Sequence, residues 1–67
     1  MKNLKLKAAR AARDLSQQQL AEAVGVSRQT INAIESGKFV PSTVLALKMA
    51  KIFNRPVEEI FQLDDED

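Results

Sequence analysis

The sequence predicts an all-α domain: a compact set of five short helices, with room for a small two-stranded sheet joining Lys2-Asn3 to Phe61-Leu63. Three observations carry this prediction. Apolar residues recur at steps of three and four along much of the 67-residue chain, the period of helices packed on one face. Ser16, Ser27 and Ser42 stand where helix N-caps are wanted, and Gly25 and Gly37 where helices stop. Two Gly and two Pro are too few for the many turns of an all-β fold.

The first helix is read from Leu4, Ala8, Ala11 and Leu15, which share one face, with Lys5, Lys7, Arg10 and Arg13 around it and Asn3 as N-cap. Ser16 caps a second helix, Gln17–Val24, and Gln19 three residues later completes a capping-box pattern. Its apolar face is Leu20, Ala21 and Val24, and Gly25 ends it. Only Val26 precedes the next cap, Ser27, which opens a helix from Arg28 to about Ser36 with Ile31 and Ile34 apolar. Pro41 holds Val40 extended, and Ser42 caps a fourth helix, Thr43–Asn54, with Leu45, Met49, Ile52 and Phe53 on one side. Arg55-Pro56 breaks the chain again. Pro56 suits the start of a short fifth helix, Val57–Ile60, and Glu58 and Glu59 favour its N-terminal dipole.

Composition excludes several function classes. Sixty-seven residues make one domain, which divides here into a body, 1–63, and an acidic tail, 64–67. The chain has no Cys and no His, so thiolate nucleophiles, zinc fingers and His-based acid–base chemistry are out. No apolar run approaches ~18 residues and no signal-peptide h-region is present, so a cytoplasmic protein is expected. The formal net charge of +1 hides a split. Residues 1–55 carry all ten basic groups against Asp14, Glu22 and Glu35, a net of +7; residues 56–67 carry six acidic groups and no basic one. Such asymmetry is a cue for a nucleic-acid partner.

The informative segment is 17–36, QQQLAEAVGVSRQTINAIES, which reads helix, tight turn at Gly25, helix. Ala21 is small where two helices must cross closely, and Val26, Ile31 and Ile34 fasten the second helix to a core. What remains on that second helix, about 28–36, is a ridge of Arg28, Gln29, Asn32 and Ala33 with Thr30 alongside. Arg, Gln and Asn carry the donor and acceptor pairs that match base edges in the major groove. A helix-turn-helix presents the N-terminal part of its second helix to that groove.

With these residues in place, the chain resembles the helix-turn-helix domain of the Xre, lambda-repressor and Cro type, from roughly Leu4 to Phe61. The strongest stretches are LSQQQLAEAVGVSRQTINAIESGK and the pattern PS-x-x-x-A-L-x-x-A-x-x-F at Pro41–Phe53. The resemblance implies a lambda-repressor-like fold and a sequence-specific regulator, most similar to short stand-alone members that repress as homodimers. It implies that Arg28, Gln29, Asn32, Ala33 and Thr30 face the bases. Gln17 would bind a phosphate and pack on the recognition helix, and Ser27 and Lys38 would hold phosphates on either side. Ser42 and Thr43 sit at a helix N-terminus, where backbone N–H groups favour another phosphate. Arg10 and Glu35 occupy the positions of a structural ion pair tying the first helix to the third.

Other readings stand beside these. Lys5, Lys7 and Arg13 are a solvated face or phosphate contacts. Arg10–Glu35 is a buried pair or a surface pair of little worth. Phe39 contacts a partner or tucks onto its own core. Val57, Ile60, Phe61 and Leu63 close the core or form part of a dimer seam. The partners expected are double-stranded DNA and a second copy of the chain, with no membrane, cofactor, metal or small-molecule ligand. A protein-interaction module, such as an antitoxin-like regulator gripping a partner by its tail or apolar patch, is the alternative. An enzyme is disfavoured because Ser16, Ser27 and Ser42 are explained as caps and nothing is present to activate them.

Overall fold

The computed structural model describes residues 4–61. Four α-helices follow one another: α1, Leu4–Ala12; α2, Gln17–Val24; α3, Arg28–Glu35; and α4, Thr43–Phe53. A single 3-10 turn, Val57–Glu59, closes the described chain. Among the described residues there is no strand, and the five-helix count is therefore corrected to four α-helices and one turn. After Pro56 the chain makes i→i+3 bonds, beginning with the Glu59 N–H to the Pro56 carbonyl at 3.0 Å, and one α-type bond, from the Phe61 N–H to the Val57 carbonyl at 2.9 Å. Ile60 itself is the cap, its N–H donating to the Val57 carbonyl at 3.0 Å. Phe61, named for the terminal sheet, is not in a strand. Lys2, Asn3, Gln62 and Leu63, its other members, lie outside the described residues, as do Asn3 as N-cap and the acidic tail 64–67.

The face of α1 also needs correction. Leu6 is fully buried and Ala9 packs against the core, whereas Ala8 and Ala11 are exposed. Leu15 packs partly on the core, but from the connection beyond the helix. Alanine fits either side of a helix, so the four alanines of α1 carry little facing information. Leu6, with far more apolar area to remove from water, sets the rotation. Left-handed Asp14 (φ 54°) then turns the chain, and the Leu15 N–H donates to the Arg10 carbonyl at 3.1 Å.

The helix-turn-helix is built by its caps. The Gln19 N–H donates to Ser16 Oγ at 3.0 Å and the Ser16 N–H to Gln19 Oε1 at 2.8 Å, a complete capping box. Gly25 stops α2 in the left-handed region (φ 79°), its N–H donating to the Ala21 carbonyl at 2.8 Å. No atom lies within 4 Å of a Cβ built there, so the glycine serves its dihedral and not a close approach. Two residues on, Ser27 Oγ accepts from the Thr30 N–H and starts α3. The third helix stops one residue before its expected end, with Ser36 as cap and Gly37 at φ 81°. The fourth likewise ends at Phe53, because Asn54 is a left-handed cap (φ 53°) and not a last helical residue.

The core lies where all four helices meet. Leu6 from α1, Leu20, Ala21 and Val24 from α2, and Ile31 and Ile34 from α3 pack together. Leu45, Met49 and Phe53 from α4 and Ile60 beyond the turn complete it. Contact is most extensive between α2 and α3, where Ala21 is fully buried. A larger side chain at Ala21 would push the two helices apart, and with them the outer face of α3.

Candidate nucleic-acid interface

Ile31, Ile34 and Glu35 bury the inner face of α3. Its outer face then follows from helical spacing: Arg28, Gln29 and Asn32 are exposed, with Thr30 and Ala33 half-buried at its margins. Arg28 and Asn32 are four residues apart and so lie on one line. Ser27, which caps the helix, is exposed, and its hydroxyl is 3.0 Å from Thr30 Oγ1. Lys38 is exposed just past α3, in a turn made firm by N–H donation from Lys38 and Phe39 to the Ala33 carbonyl at 2.9 and 3.2 Å. Ser42 and Thr43 are exposed at the start of α4, with Ser42 Oγ already accepting from the Leu45 N–H at 3.2 Å. Any anion there would meet backbone N–H groups of the first turn.

A polar cluster supports this face from behind. Arg10 Nε donates to Glu35 Oε2 at 2.7 Å and Nη2 donates to Oε1 at 3.2 Å. Arg10 Nη1 also donates to the Leu15 carbonyl at 2.8 Å. The two side chains keep only 14% and 6% of their exposure, so the pair is largely buried and bidentate. Gln17 adds a third donor, Nε2 to Glu35 Oε1 at 3.1 Å, and its Oε1 lies 3.5 Å from Asn32 Nδ2. Sequence spacing did not join Gln17 to Glu35 or to Asn32, because 18 and 15 residues separate them and only the α2–α3 packing brings them together.

The remaining cations divide. Lys5, Lys7 and Arg13 are exposed, and Arg13 Nη2 donates to the Phe53 carbonyl at 3.0 Å, fastening α1 to the end of α4. The apolar candidates for an interface divide too. Ile60 is 1% exposed and belongs to the core, so it is removed from the interface set. Val57 and Phe61 are half-buried and line an open groove of about 270 Å³ with Val40, Pro41, Ala46 and Leu47. Leu63 lies outside the described residues. Sequence reasoning missed Val40, Val44 and Leu47, which are 64%, 64% and 54% exposed. The signal was present: Val44 and Leu47 are three apart on α4 and off the Leu45–Met49 face, so that helix is apolar on more than one side. Phe39 is also exposed.

A family model described as Helix-turn-helix matches residues 6–60, nearly the whole described chain. The chain belongs to the Xre-type helix-turn-helix family of DNA-binding transcriptional regulators. Among its relatives is an uncharacterised HTH-type transcriptional regulator of Bacillus subtilis, YgzD, 52% identical over 66 residues and covering 98% of both chains. A second HTH-type transcriptional regulator, from Methanocaldococcus jannaschii, is 54% identical over all of both chains. Among solved structures the chain is similar to the restriction-modification controller protein C.AhdI of Aeromonas hydrophila. The TM-score is 0.79 and the identity 32%, over 88% of this chain and 89% of that one. The family is one of DNA-binding regulators and not of enzymes. None of the described helices is long and apolar enough to cross a membrane.

Proposed function

We propose that this family member is a cytoplasmic, sequence-specific repressor that binds as a homodimer to an inverted-repeat operator in the major groove. The observation that carries the reading is the exposure of Arg28, Gln29 and Asn32 together on a helix whose opposite face is locked into the core. Arg28 and Asn32 supply base-edge recognition, with Gln29, Thr30 and Ala33 beside them. Lys38, Ser27, Gln17 and the α4 N-terminus at Ser42 and Thr43 hold phosphates and fix the register of the helix on the duplex. The basic body provides affinity through counterion release. Bound at a promoter, the protein would repress by occluding polymerase.

The homodimer reading is supported by exposed Val40 and Leu47, which share a groove with half-buried Val57 and Phe61, and by exposed Val44 on the same helix as Leu47. Thr43 lines the same groove, so this patch adjoins the α4 N-terminus. A two-fold pair would place its two recognition helices about 34 Å apart, giving half-sites about 10 bp centre to centre, or a multiple. Selection of bound duplexes from a random pool at physiological salt tests both parts. The expected result is a symmetric consensus with that spacing. Failure to enrich any sequence would remove the regulator reading, and an asymmetric single half-site would remove the dimer.

A further inference from the structure

We propose that Phe39 is a DNA-contacting residue: its ring packs on the deoxyribose of the duplex backbone, between the phosphates held by Lys38 and by the α4 N-terminus. The inference rests on the reading of those two positions as phosphate contacts.

Phe39 has no place in its own core. It is 49% exposed and is not among the side chains packed against the buried cluster. Nor does it belong to the apolar groove on which the dimer reading stands. Val40 and Pro41 line that groove with Leu47, Val57 and Phe61, and Phe39 does not. The chain therefore enters the groove only after residue 39, and the ring is left outside it.

The backbone that carries the ring is tied to α3. Gly37 is left-handed (φ 81°), its N–H donates to the Ile34 carbonyl at 3.1 Å, and the Lys38 N–H donates to the Ala33 carbonyl at 2.9 Å. The Phe39 N–H and Ser36 Oγ converge on the same Ala33 carbonyl, at 3.2 and 3.1 Å. With its N–H held there, Phe39 moves with the reading helix. Exposed Lys38 stands immediately before it, and exposed Ser42, the cap of α4, three residues after it.

What a duplex offers between two phosphates is sugar, whose C–H face is apolar. Contacts to phosphate and sugar fix register without carrying sequence information. A cation at residue 39 would add affinity through counterion release, which salt removes. A phenyl ring adds it by leaving water, which salt does not screen. Phe39 thus supplies a component of affinity that depends neither on sequence nor on salt, beside the salt-dependent one of Lys38.

The test uses the full chain and the duplexes it selects from a random pool. Phe39→Ala is expected to lower affinity for all of them roughly threefold to tenfold, the scale for returning half a phenyl ring to water. Base preferences, sedimentation mass and the slope of log K against log salt should keep their wild-type values. The chain has no Trp and no Tyr, so Phe39→Trp puts its only indole at this position. Emission should move to shorter wavelength as duplex saturates the protein, and should not change when the protein alone is diluted. Unchanged affinity in Phe39→Ala, or emission untouched by duplex, overturns the proposal and leaves a solvated ring. A lowered sedimentation mass, or emission that changes on dilution alone, overturns it in favour of a contact between two copies. A wild type that binds no duplex removes the DNA reading itself, whereas binding that is indifferent to residue 39 removes this proposal alone.

Discussion

Arg28, Lys38 and Glu35 show three different ways in which one side chain matters here. Arg28 is exposed on the first turn of α3, where a guanidinium can make a bidentate contact with a guanine edge. Arg28→Ala is therefore expected to cost about 1–3 kcal/mol of binding and to relax selectivity at one base position, measured by titrating operator variants. Lys38 is a point charge after the helix, suited to phosphate. Lys38→Ala should weaken all duplexes alike and lower the slope of log K against log salt by about 1, which a salt titration reads directly. Glu35 touches no DNA in this scheme. Glu35→Ala leaves the Arg10 guanidinium largely buried with only the Leu15 carbonyl, and is expected to destabilise the fold by about 3–5 kcal/mol in denaturant titration. A loss under 1 kcal/mol would mean that the pair behaves as a solvated surface contact.

At the scale of elements, the helix starts and the faces of α2 and α3 were legible, and the face of α1 was not. The limits of α2 follow from Ser16, Gln19 and Gly25, because capping is a contact between near neighbours and so is written locally. The same logic placed the starts of α3 and α4 at Ser27 and Ser42. It overran at Asn54, since Asn is tolerated both as a helical residue and as a left-handed cap. The face of α1 was misplaced because its alanines fit on either side, and only packing against α3 selects Leu6. Gly25 offers a clean test of local control. With open space around its Cβ position and φ at 79°, Gly25→Ala meets no clash but must hold a left-handed backbone. The expected loss is about 1–2 kcal/mol, read as a lowered thermal midpoint. An unchanged midpoint would show that the turn does not depend on glycine's dihedral freedom.

On the scale of the whole molecule, the decisive feature is that two surfaces of one small domain carry different chemistry. One is the polar ridge of α3. The other is the apolar groove where exposed Val40 and Leu47 meet half-buried Val57 and Phe61, with Val44 also exposed on α4. Exposed aliphatic side chains gathered around one groove are the kind of surface that a partner covers. Leu47→Glu puts a charge in that patch without entering the core. It is expected to halve the mass measured by analytical ultracentrifugation while leaving the folding stability of the monomer within about 0.5 kcal/mol. Operator affinity should fall with it, because one recognition helix then works alone. A wild type that sediments as a monomer at micromolar concentration would refute the dimer outright.

By itself, the sequence determined the caps, the turn glycine, the apolar spacing of α2 and α3, and the family to which they belong. All of these depend on residues within a few positions of one another, where helical geometry converts spacing into direction. The candidate reading ridge was legible for the same reason: once Ile31 and Ile34 face inward, Arg28 and Asn32 face outward. Only the tertiary structure decided which face of α1 is buried, and that Ile60 is core while Leu47 is surface. It alone showed that the segment after Pro56 is a single turn, and that Arg10, Glu35, Gln17 and Asn32 form one connected set. Those outcomes depend on contacts between residues far apart in the chain. Their energies come from burying area and satisfying polar groups across helices, and no local pattern encodes which partner will be there.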